Sequence, residues 1–196
     1  MVDLVEEFVR AKEYTGDVWV ADYTQQTSSM PAENRKGVCI SDTEFTDISA
    51  FHLQNPKHVA MLGVNFEEHP HYFPGGIQNC ECLFRAKEVV DGGFLLLCEL
   101  KYCKAHNIQV NAEKAYDQLN STWNHLASKG IFDSNHCKSF LNISVPDHSD
   151  KSPFSSFLYP QNERLDWLKK YRIVLLGENN LLVLDKGIIK VPVEDV

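Results

Sequence analysis

The feature that most constrains this chain is an apolar run at 94–102, Phe-Leu-Leu-Leu-Cys-Glu-Leu-Lys-Tyr, which follows Asp-Gly-Gly at 91–93. A short apolar run after a turn signal is typical of a strand that is buried on both faces. Glu99 and Lys101 interrupt the run, and a strand directs residues two apart to the same face. Charged groups inside such a strand are costly unless they pair or bind something. The run therefore predicts a central strand with a charged site on one face.

The preceding segment 80–90 also predicts a strand, joined to the first by a three-residue hairpin loop. In that hairpin Val90 faces Phe94, and Glu81 lies on the same face as Glu99. A two-residue loop would shift the register by one residue and send Glu81 to the opposite face. The shorter loop remains an open alternative at this point.

The order of these residues resembles the PD-(D/E)XK nuclease-like (restriction-endonuclease-like) superfamily. Its pattern is an acid on one strand, a hairpin, and Glu-X-Lys on the next strand. Glu81 matches the first acid, and Glu99, Leu100 and Lys101 match the Glu-X-Lys. The resemblance covers about 59–145; the usual Pro-Asp is absent, and the first acid is Glu rather than Asp. It implies an α/β fold with a restriction-endonuclease-like core, in which helices flank a mixed central β-sheet.

The resemblance also implies a chemistry, the metal-dependent hydrolysis of a phosphodiester by a nuclease of a restriction or phage-defence kind. Glu81 and Glu99 would hold Mg²⁺ or Mn²⁺, which prefer oxygen ligands, together with the main-chain carbonyl of Leu100. Lys101 would orient or activate the attacking water. In many members a polar residue of the following helix, often Gln, leans over the active site, and Gln118 is the candidate here.

A further acid of the superfamily often comes from an early helix. Residues 2–13 predict a short amphipathic helix, because their apolar side chains recur at helical spacing. Glu6 and Glu7 are therefore candidates for this acid. The alternative interpretation is that both belong to a solvated acidic helix face.

The rest of the chain predicts a single domain, 1–196. Apolar residues at spacings of three and four over 111–130 predict a helix capped by Asn111. Residues 138–145 predict a third core strand, and 164–196 predict a short helix and a C-terminal β-hairpin extension. The predicted core is 59–145.

The cysteines indicate a reduced compartment. No apolar run is long enough to span a membrane, and the acidic N-terminus does not resemble a signal peptide, so we expect a cytoplasmic protein. Six free thiols follow from that location, at Cys39, Cys80, Cys82, Cys98, Cys103 and Cys137. A zinc site built from them is the alternative, but the closely spaced pairs lie in or beside predicted strands rather than in turns.

The net charge of the chain indicates whether a nucleic acid is a favoured binding partner. With 19 Lys and Arg against 27 Asp and Glu, the formal net charge is −8. Proteins that bind long nucleic acids through phosphate contacts usually have a basic balance or stripe. The charge therefore does not favour nucleic acid as a partner. It supports the alternative of a non-catalytic member of the same fold, which binds a protein or a nucleotide-like ligand. The oligomeric state is not predicted.

Overall fold

The computed structural model describes residues 7–8, 10–88, 90–133, 135–148 and 161–192, without the side chains of 161–164. The strands of this part are β1 (Lys12–Tyr14), β2 (Val18–Asp22), β3 (Val38–Ser41), β4 (Phe51–Gln54), β5 (Met61–Asn65), β6 (Cys82–Ala86), β7 (Gly93–Leu100), β8 (Cys137–Ser144), β9 (Ile173–Leu176), β10 (Asn180–Asp185) and β11 (Ile188–Lys190). The helices are α1 (Thr24–Thr27), α2 (Ile108–Ser128) and α3 (Gln161–Tyr171), and short 3₁₀ turns lie at Ala32–Asn34, Phe66–Glu68 and Ala105–Asn107.

The strands form two mixed sheets, so the α/β class is confirmed. The large sheet has the order β1-β5-β6-β7-β8-β9, and the small sheet has the order β11-β10-β4-β2-β3. In the large sheet, β5, β6 and β7 are antiparallel neighbours, whereas β8 runs parallel to β7 and β9 parallel to β8. Every residue of β7 is buried. The prediction of a central strand covered on both faces is therefore confirmed.

The two faces of the large sheet pack against different partners. One face meets α2 in a core that includes Leu83, Leu95, Leu97, Leu119, Trp123 and Leu126. The other face meets the small sheet in a core that includes Phe84, Phe94, Leu96, Val20, Phe51 and Val183. Odd-numbered residues of β7 thus face α2 and even-numbered ones face the small sheet, as the alternation of side chains along a strand requires. Glu99 occupies an odd position and belongs to the helix side.

The predicted hairpin register is wrong. Strand β6 ends at Ala86, and Cys82 pairs with Cys98, so Val90 does not face Phe94. The connection is longer than three residues because distant segments bind the start of β7. The Gly92 N–H donates to the carbonyl of His136 at 2.7 Å. Gly92 also has a φ of 75°, a left-handed conformation that glycine adopts without strain.

The predicted regular strand around Glu81 is also wrong. Cys80 packs in the core on the helix side, whereas Cys82 packs in the core between the sheets. Residues two apart on a regular strand share a face, so the alternation is broken at Glu81. Glu81 precedes β6, and its side chain reaches the end of β7 from this break rather than from a shared face.

Other boundaries differ in ways that contacts explain. Helix α2 begins at Ile108 and follows Asn107, so the predicted cap at Asn111 is wrong. The Asn111 side chain instead donates to the Asn107 carbonyl at 2.8 Å. The predicted helix 2–13 is wrong at Lys12 and Glu13, because the strand Lys12–Tyr14 pairs with β5 in the antiparallel direction. Residues 1–6 lie outside the described residues.

The C-terminal strands divide between the two sheets. Strand β9 runs parallel to β8 in the large sheet, and β10 runs parallel to β4 in the small sheet. Strands β10 and β11 then form an antiparallel hairpin. The predicted third core strand is present as β8 and lies directly beside β7.

Two expectations about the whole chain can be compared with the structure. All six cysteines are free thiols, as predicted. Among the residues that the structure describes, no helix combines the length and the hydropathy needed to cross a membrane.

Candidate active site

The candidate site lies at the carboxyl end of β7. Glu99 and Leu100 are the last two residues of the strand, and Lys101 follows them. The Lys101 N–H donates to the carbonyl of Ser144 at 2.9 Å, so the backbone keeps its direction beyond the strand. The Glu99 side chain is 1% exposed and that of Lys101 is 20% exposed. The ammonium group can reach solvent, whereas the carboxylate cannot.

Lys101 connects Glu99 to helix α2. Its ammonium donates to Oε1 of Glu99 and, at 2.8 Å, to Oε1 of Gln118. The amide Nε2 of Gln118 donates in turn to the carbonyl of Asn79 at 3.1 Å. Gln118 thereby links the helix, the lysine and the segment before β6.

The Glu81 side chain reaches the end of β7 from the segment that precedes β6. Its Oε2 accepts a hydrogen bond from the Leu100 N–H at 2.8 Å. Its main-chain carbonyl accepts from the Phe66 N–H at 2.9 Å. Strand β6 stops pairing with β7 before Leu100, and the Glu81 carboxylate provides the acceptor for the Leu100 N–H instead. This contact holds Glu81 beside Glu99.

Thr122 holds the segment that carries Glu81. Its hydroxyl accepts from the Cys80 N–H at 2.8 Å and donates to the carbonyl of Gln118 at 2.7 Å. Thr122 is fully buried. A threonine one turn after Gln118 on an apolar helix stripe was the only sequence signal for this role.

One oxygen of Glu99 is left without a partner. Within the described part of the chain, Oε2 of Glu99 is buried and accepts no hydrogen bond. Burial raises the pKa of the Glu99 carboxyl to about 7, although the charge and hydrogen bond of Lys101 lower it and the backbone N–H of Glu81 lowers it further. Burial also raises the pKa of Glu81 well above its usual range, and the charge of Glu99 raises it further. The two carboxyl groups disfavour each other's ionisation.

Asp22 is a residue that the sequence reasoning missed. It is the last residue of β2 in the small sheet, and its N–H donates to the hydroxyl of Tyr102 at 3.4 Å. The Tyr102 hydroxyl donates to the carbonyl of Ser49 at 2.7 Å. The negative charge of Asp22 raises the pKa of both Glu81 and Glu99. An aspartate that ends an apolar strand before a turn was the available signal.

A polar cleft of about 650 Å³ is lined in part by the residues that follow Lys101 in the sequence. Its lining consists of Gln25, Tyr102, Cys103, Lys104, His106, Asn107, Asn111 and Asp147. The cleft combines Lys104, Asp147 and hydrogen-bonding side chains beyond the carboxyl ends of β7 and β8.

The structure brings together four of the predicted side chains, those of Glu81, Glu99, Lys101 and Gln118. Of the two candidate early-helix acids, the described one, Glu7, is not part of this group. Glu7 lies beside Tyr72, where its charge contributes to raising the pKa of the phenol after burial. Glu6 lies outside the described residues.

The donor set fits a hard cation. The available groups are oxygens, from the carboxylates of Glu81 and Glu99 and from the main chain of Leu100. In the described ranges, no group of three or more His, Cys, Asp or Glu side chains is arranged to hold a metal ion. Zinc, which usually takes at least three such ligands, does not fit this arrangement. Mg²⁺ and Mn²⁺ fit better, because hard cations of this kind can bind through one or two carboxylates and keep several waters.

The chain was compared with known proteins at three levels. No family model, no curated protein and no solved structure matches it. Its function therefore has to be inferred from the chemistry of the site itself.

Proposed function

We propose that this protein is a metal-dependent phosphodiesterase, a nuclease with a restriction-endonuclease-like core. The observation that carries the proposal is the buried Oε2 of Glu99, which has no partner although the carboxylate lies beside Glu81. A buried polar atom without a hydrogen bond costs about 1–3 kcal/mol, and more when it is charged. Binding of a cation by this oxygen would remove that cost.

The order of the elements supports the proposal. The antiparallel strands β5, β6 and β7 are followed by α2 and then by β8, which runs parallel to β7. The first acid precedes β6, the Glu-X-Lys ends β7, and the candidate glutamine lies on α2. On the α2 side of the sheet this order agrees with what the resemblance implies, whereas in the described part of the chain the other face is covered by the small sheet and not by helices.

The residues have separate roles in the proposed reaction. Glu81 and Glu99 would hold the cation, and the chemistry it would supply is a lowered pKa of a bound water and compensation of charge on the phosphate. Lys101 lies at the solvent side of the pair, where its ammonium orients the attacking water and faces the phosphate. Gln118 accepts a hydrogen bond from Lys101 and keeps the ammonium directed to this place.

The substrate is a phosphodiester of limited length. The net charge of −8 disfavours a long duplex, whose binding depends on many phosphate contacts. The cleft beside Lys101 offers the cationic side chain of Lys104, and Asp147 belongs to the same lining. A short single strand places few phosphates on the protein, so its binding needs fewer cationic contacts than that of a long duplex.

A second candidate is a nucleotide-binding module without catalysis. The observation that favours it is the Lys101 ammonium, which already hydrogen-bonds both Glu99 and Gln118. In this alternative the lysine serves the stability of the site, and the cleft binds a nucleotide that is not hydrolysed. The two candidates predict the same ligand chemistry and differ in turnover.

The test combines metal binding and hydrolysis. Mn²⁺ or Mg²⁺ at millimolar concentration should raise the thermal midpoint of the parent protein, because a ligand that binds only the folded state stabilises it. The Glu99→Gln variant should lose this response and lose hydrolysis of labelled short DNA and RNA strands. Glu13→Gln is the matched control, since Glu13 also pairs with a lysine, Lys87, but is exposed.

The outcomes separate the candidates. A parent protein that responds to Mn²⁺ and cleaves no strand supports the binding module. A parent protein whose melting and cleavage are both indifferent to Mn²⁺ and Mg²⁺ contradicts the metal-dependent nuclease. Equal responses of Glu99→Gln and Glu13→Gln would show that the cation binds elsewhere.

A further inference from the structure

The outer face of the small sheet, which points away from the large sheet, carries a row of aromatic and polar side chains. Val20 and Phe51 pack in the core between the two sheets. Their neighbours along the strands, Trp19 and His52, therefore point to the outer face. Trp19 pairs with His52, and His52 pairs with Asn180 of β10. An indole, an imidazole and an amide thus lie side by side across three strands, and we call them the outer row.

The two rings of the outer row are held in place. Trp19 and His52 are stacked, with ring centroids 4.5 Å apart and planes 8° from parallel. The Nε2 of His52 lies 2.9 Å from Oδ2 of Asp17, whose Oδ1 accepts a hydrogen bond from the Asn55 N–H at 2.7 Å. Both rings remain half-buried rather than covered. The stack is therefore a fixed aromatic surface that a ligand can reach.

A loop turns this surface into a cleft. The space between the outer row and the segment 44–50 has a volume of about 450 Å³. Ile48 of the segment is buried in a small core with Ala21 of β2, and Phe45 packs against the same core. These contacts anchor the loop to the sheet. The volume lies within the usual range of small-ligand sites, about 300–1,000 Å³.

The charges of the cleft are negative. Glu44 and Asp47 belong to its lining, whereas among the described residues no lysine or arginine does. The Oδ1 of Asp47 accepts from the Tyr23 hydroxyl at 2.6 Å, which fixes the position of this carboxylate. Phe45 adds a second aromatic side chain to the lining that already contains Trp19. Carboxylates and aromatic faces both attract cations, so the ligand that fits this lining is positively charged.

We propose that this cleft binds an alkylammonium ligand, whose charged group meets Glu44 and Asp47 and whose alkyl part lies along Trp19. A metal ion fits less well, because no group of three His, Cys, Asp or Glu side chains in the described ranges is arranged to hold one. Aromatic rings also offer a hard metal ion no oxygen ligand, whereas they attract organic cations. The inference does not depend on the proposed hydrolysis, and the failure of either leaves the other standing.

The experiment is a titration with cadaverine, followed by the indole N–H signals in heteronuclear NMR spectra at constant ionic strength. The chain has three tryptophans. Trp123 and Trp167 serve as internal controls, because they pack in or against the core on the α2 side of the large sheet. Cadaverine should shift the Trp19 signal alone, and the corresponding uncharged diol should leave it in place. The Trp19 signal is identified by its loss in Trp19→Leu.

Two variants test the negative charge. Glu44→Gln keeps the shape of an exposed side chain and removes its charge, so the cadaverine concentration of half-saturation should rise about threefold. Glu33→Gln is the matched control, since Glu33 is an exposed acid in the 3₁₀ turn Ala32–Asn34 and is not part of the cleft. Its half-saturation should equal that of the parent protein. Trp19→Leu, followed by the backbone signals of 44–50, should weaken binding about two- to fivefold.

The outcomes decide the inference even if Trp19→Leu does not fold, because Glu44→Gln changes only an exposed residue. A Trp19 signal that does not move, or that moves equally with the diol, overturns the proposal. Equal half-saturation in Glu44→Gln and Glu33→Gln overturns it as well. Spermidine and a capped Gly-Lys-Gly peptide then identify the source of the ammonium group. Tighter binding of the peptide indicates a lysine of a protein partner, and tighter binding of spermidine indicates a free polyamine; both support an alkylammonium site.

Discussion

Two buried polar clusters lie on adjacent strands of the large sheet, and they differ in whether every buried polar atom has a hydrogen-bond partner. The charged cluster, at the end of β7, consists of Glu81, Glu99, Lys101 and Gln118. The amide cluster, on and beside β8, consists of Asn142, Ser144 and Asn179. Both occupy the carboxyl ends of parallel strands and both link segments that are distant in sequence. Only the charged cluster leaves a buried atom without a partner.

The amide cluster is completely hydrogen-bonded. Asn142 exchanges two hydrogen bonds with the backbone of Glu178, at 2.9 and 3.0 Å. The Oδ1 of Asn179 accepts from the Ser144 hydroxyl and the Val145 N–H, and its Nδ2 donates to the carbonyls of Val145 and His148. No group is charged and none needs a further partner. Such a cluster is explained by the connection of β8 to the segment before β10.

The difference indicates which cluster has a function beyond the fold. A satisfied buried network makes the native state more specific and stable, whereas a partly satisfied one is costly. The unpartnered Oε2 of Glu99 and the raised pKa values of Glu81 and Glu99 do not stabilise the free protein. We therefore expect mutations in the amide cluster to change stability, and mutations in the charged cluster to change metal binding and activity.

The largest effect on stability is expected for Asn179→Ala. This change removes four hydrogen bonds and leaves the buried Val145 N–H and the Ser144 hydroxyl to find new partners. At about 1 kcal/mol for each bond, and more for an unsatisfied buried group, the free energy of unfolding should fall by about 4 kcal/mol. Urea unfolding measures it. Asn124→Ala, on the exposed side of α2, should change stability by less than about 0.5 kcal/mol. A loss below about 1 kcal/mol for Asn179→Ala would contradict the comparison.

The second prediction concerns the pH dependence of stability. The folded pKa of Glu99, about 7, lies above the ordinary value of 4.5. Between these values the unfolded chain loses its proton first, so stability falls as the pH rises from about 4.5 to about 7. At roughly 1.4 kcal/mol for each pH unit, Glu99 contributes a loss of about 3 kcal/mol. The stability is fully present below pH 4.5. The raised pKa of Glu81 acts in the same direction.

Glu99→Gln isolates this contribution. Urea unfolding at several pH values, in a chelator, should show a shallower decline for the variant than for the parent protein. At pH 8 the variant should be as stable as the parent protein or more stable. If the two profiles run parallel, Glu99 is ionised at no cost in the folded state and the contrast between the clusters is lost. Glu13→Gln, at an exposed ion pair, should leave the profile of the parent protein unchanged.

The sequence predicted the parts of this comparison that depend on local patterns. The apolar run of β7, the common face of Glu99 and Lys101 and the position of Gln118 at the edge of a helix stripe follow from periodicity. The break at Glu81 does not, because contacts with Thr122 and Leu100 produce it. The hairpin register failed for the same reason, since residues far along the chain hold the start of β7.

Contacts between residues that are far apart in sequence also explain which site residues the sequence did not predict. Strands β3 to β6 separate Asp22 from Glu99 in sequence, and only the packing of the small sheet brings it to the end of β7. The amide cluster likewise joins β8 to the segment before β10. Side-chain patterns within one element carry no information about such contacts. A single sequence therefore predicts which strands and helix carry the site better than it predicts which distant residues complete it.

A smaller effect on stability is expected for Thr122→Val. The substitution keeps the shape of the side chain but removes the acceptor for the Cys80 N–H, which is buried. An unsatisfied buried N–H costs about 1–3 kcal/mol, so the free energy of unfolding should fall by about 2 kcal/mol. Urea unfolding measures the loss. Thr43→Val, at an exposed turn, should be nearly neutral. A neutral Thr122→Val would show that the segment before β6 is held by other contacts.

The smallest effect on stability is expected for Gln118→Met, and it separates the two clusters most clearly. The variant removes the acceptor of the Lys101 ammonium and the donor to the Asn79 carbonyl. Both partners can reach water, because the Lys101 side chain is 20% exposed and Asn79 is only half-buried. The free energy of unfolding should therefore fall by about 1 kcal/mol or less.

Activity should respond differently to the same change. Without Gln118 the ammonium keeps only Glu99 as its partner and is no longer directed to the solvent side of the carboxylates. If Lys101 acts on the phosphate and the water, this misplacement should lower kcat at least about tenfold while the Mn²⁺ affinity stays within about threefold. Thr122→Val, with the larger loss of stability, should retain more activity than Gln118→Met under conditions where both are folded. The opposite order would mean that the glutamine only fills a boundary position of α2.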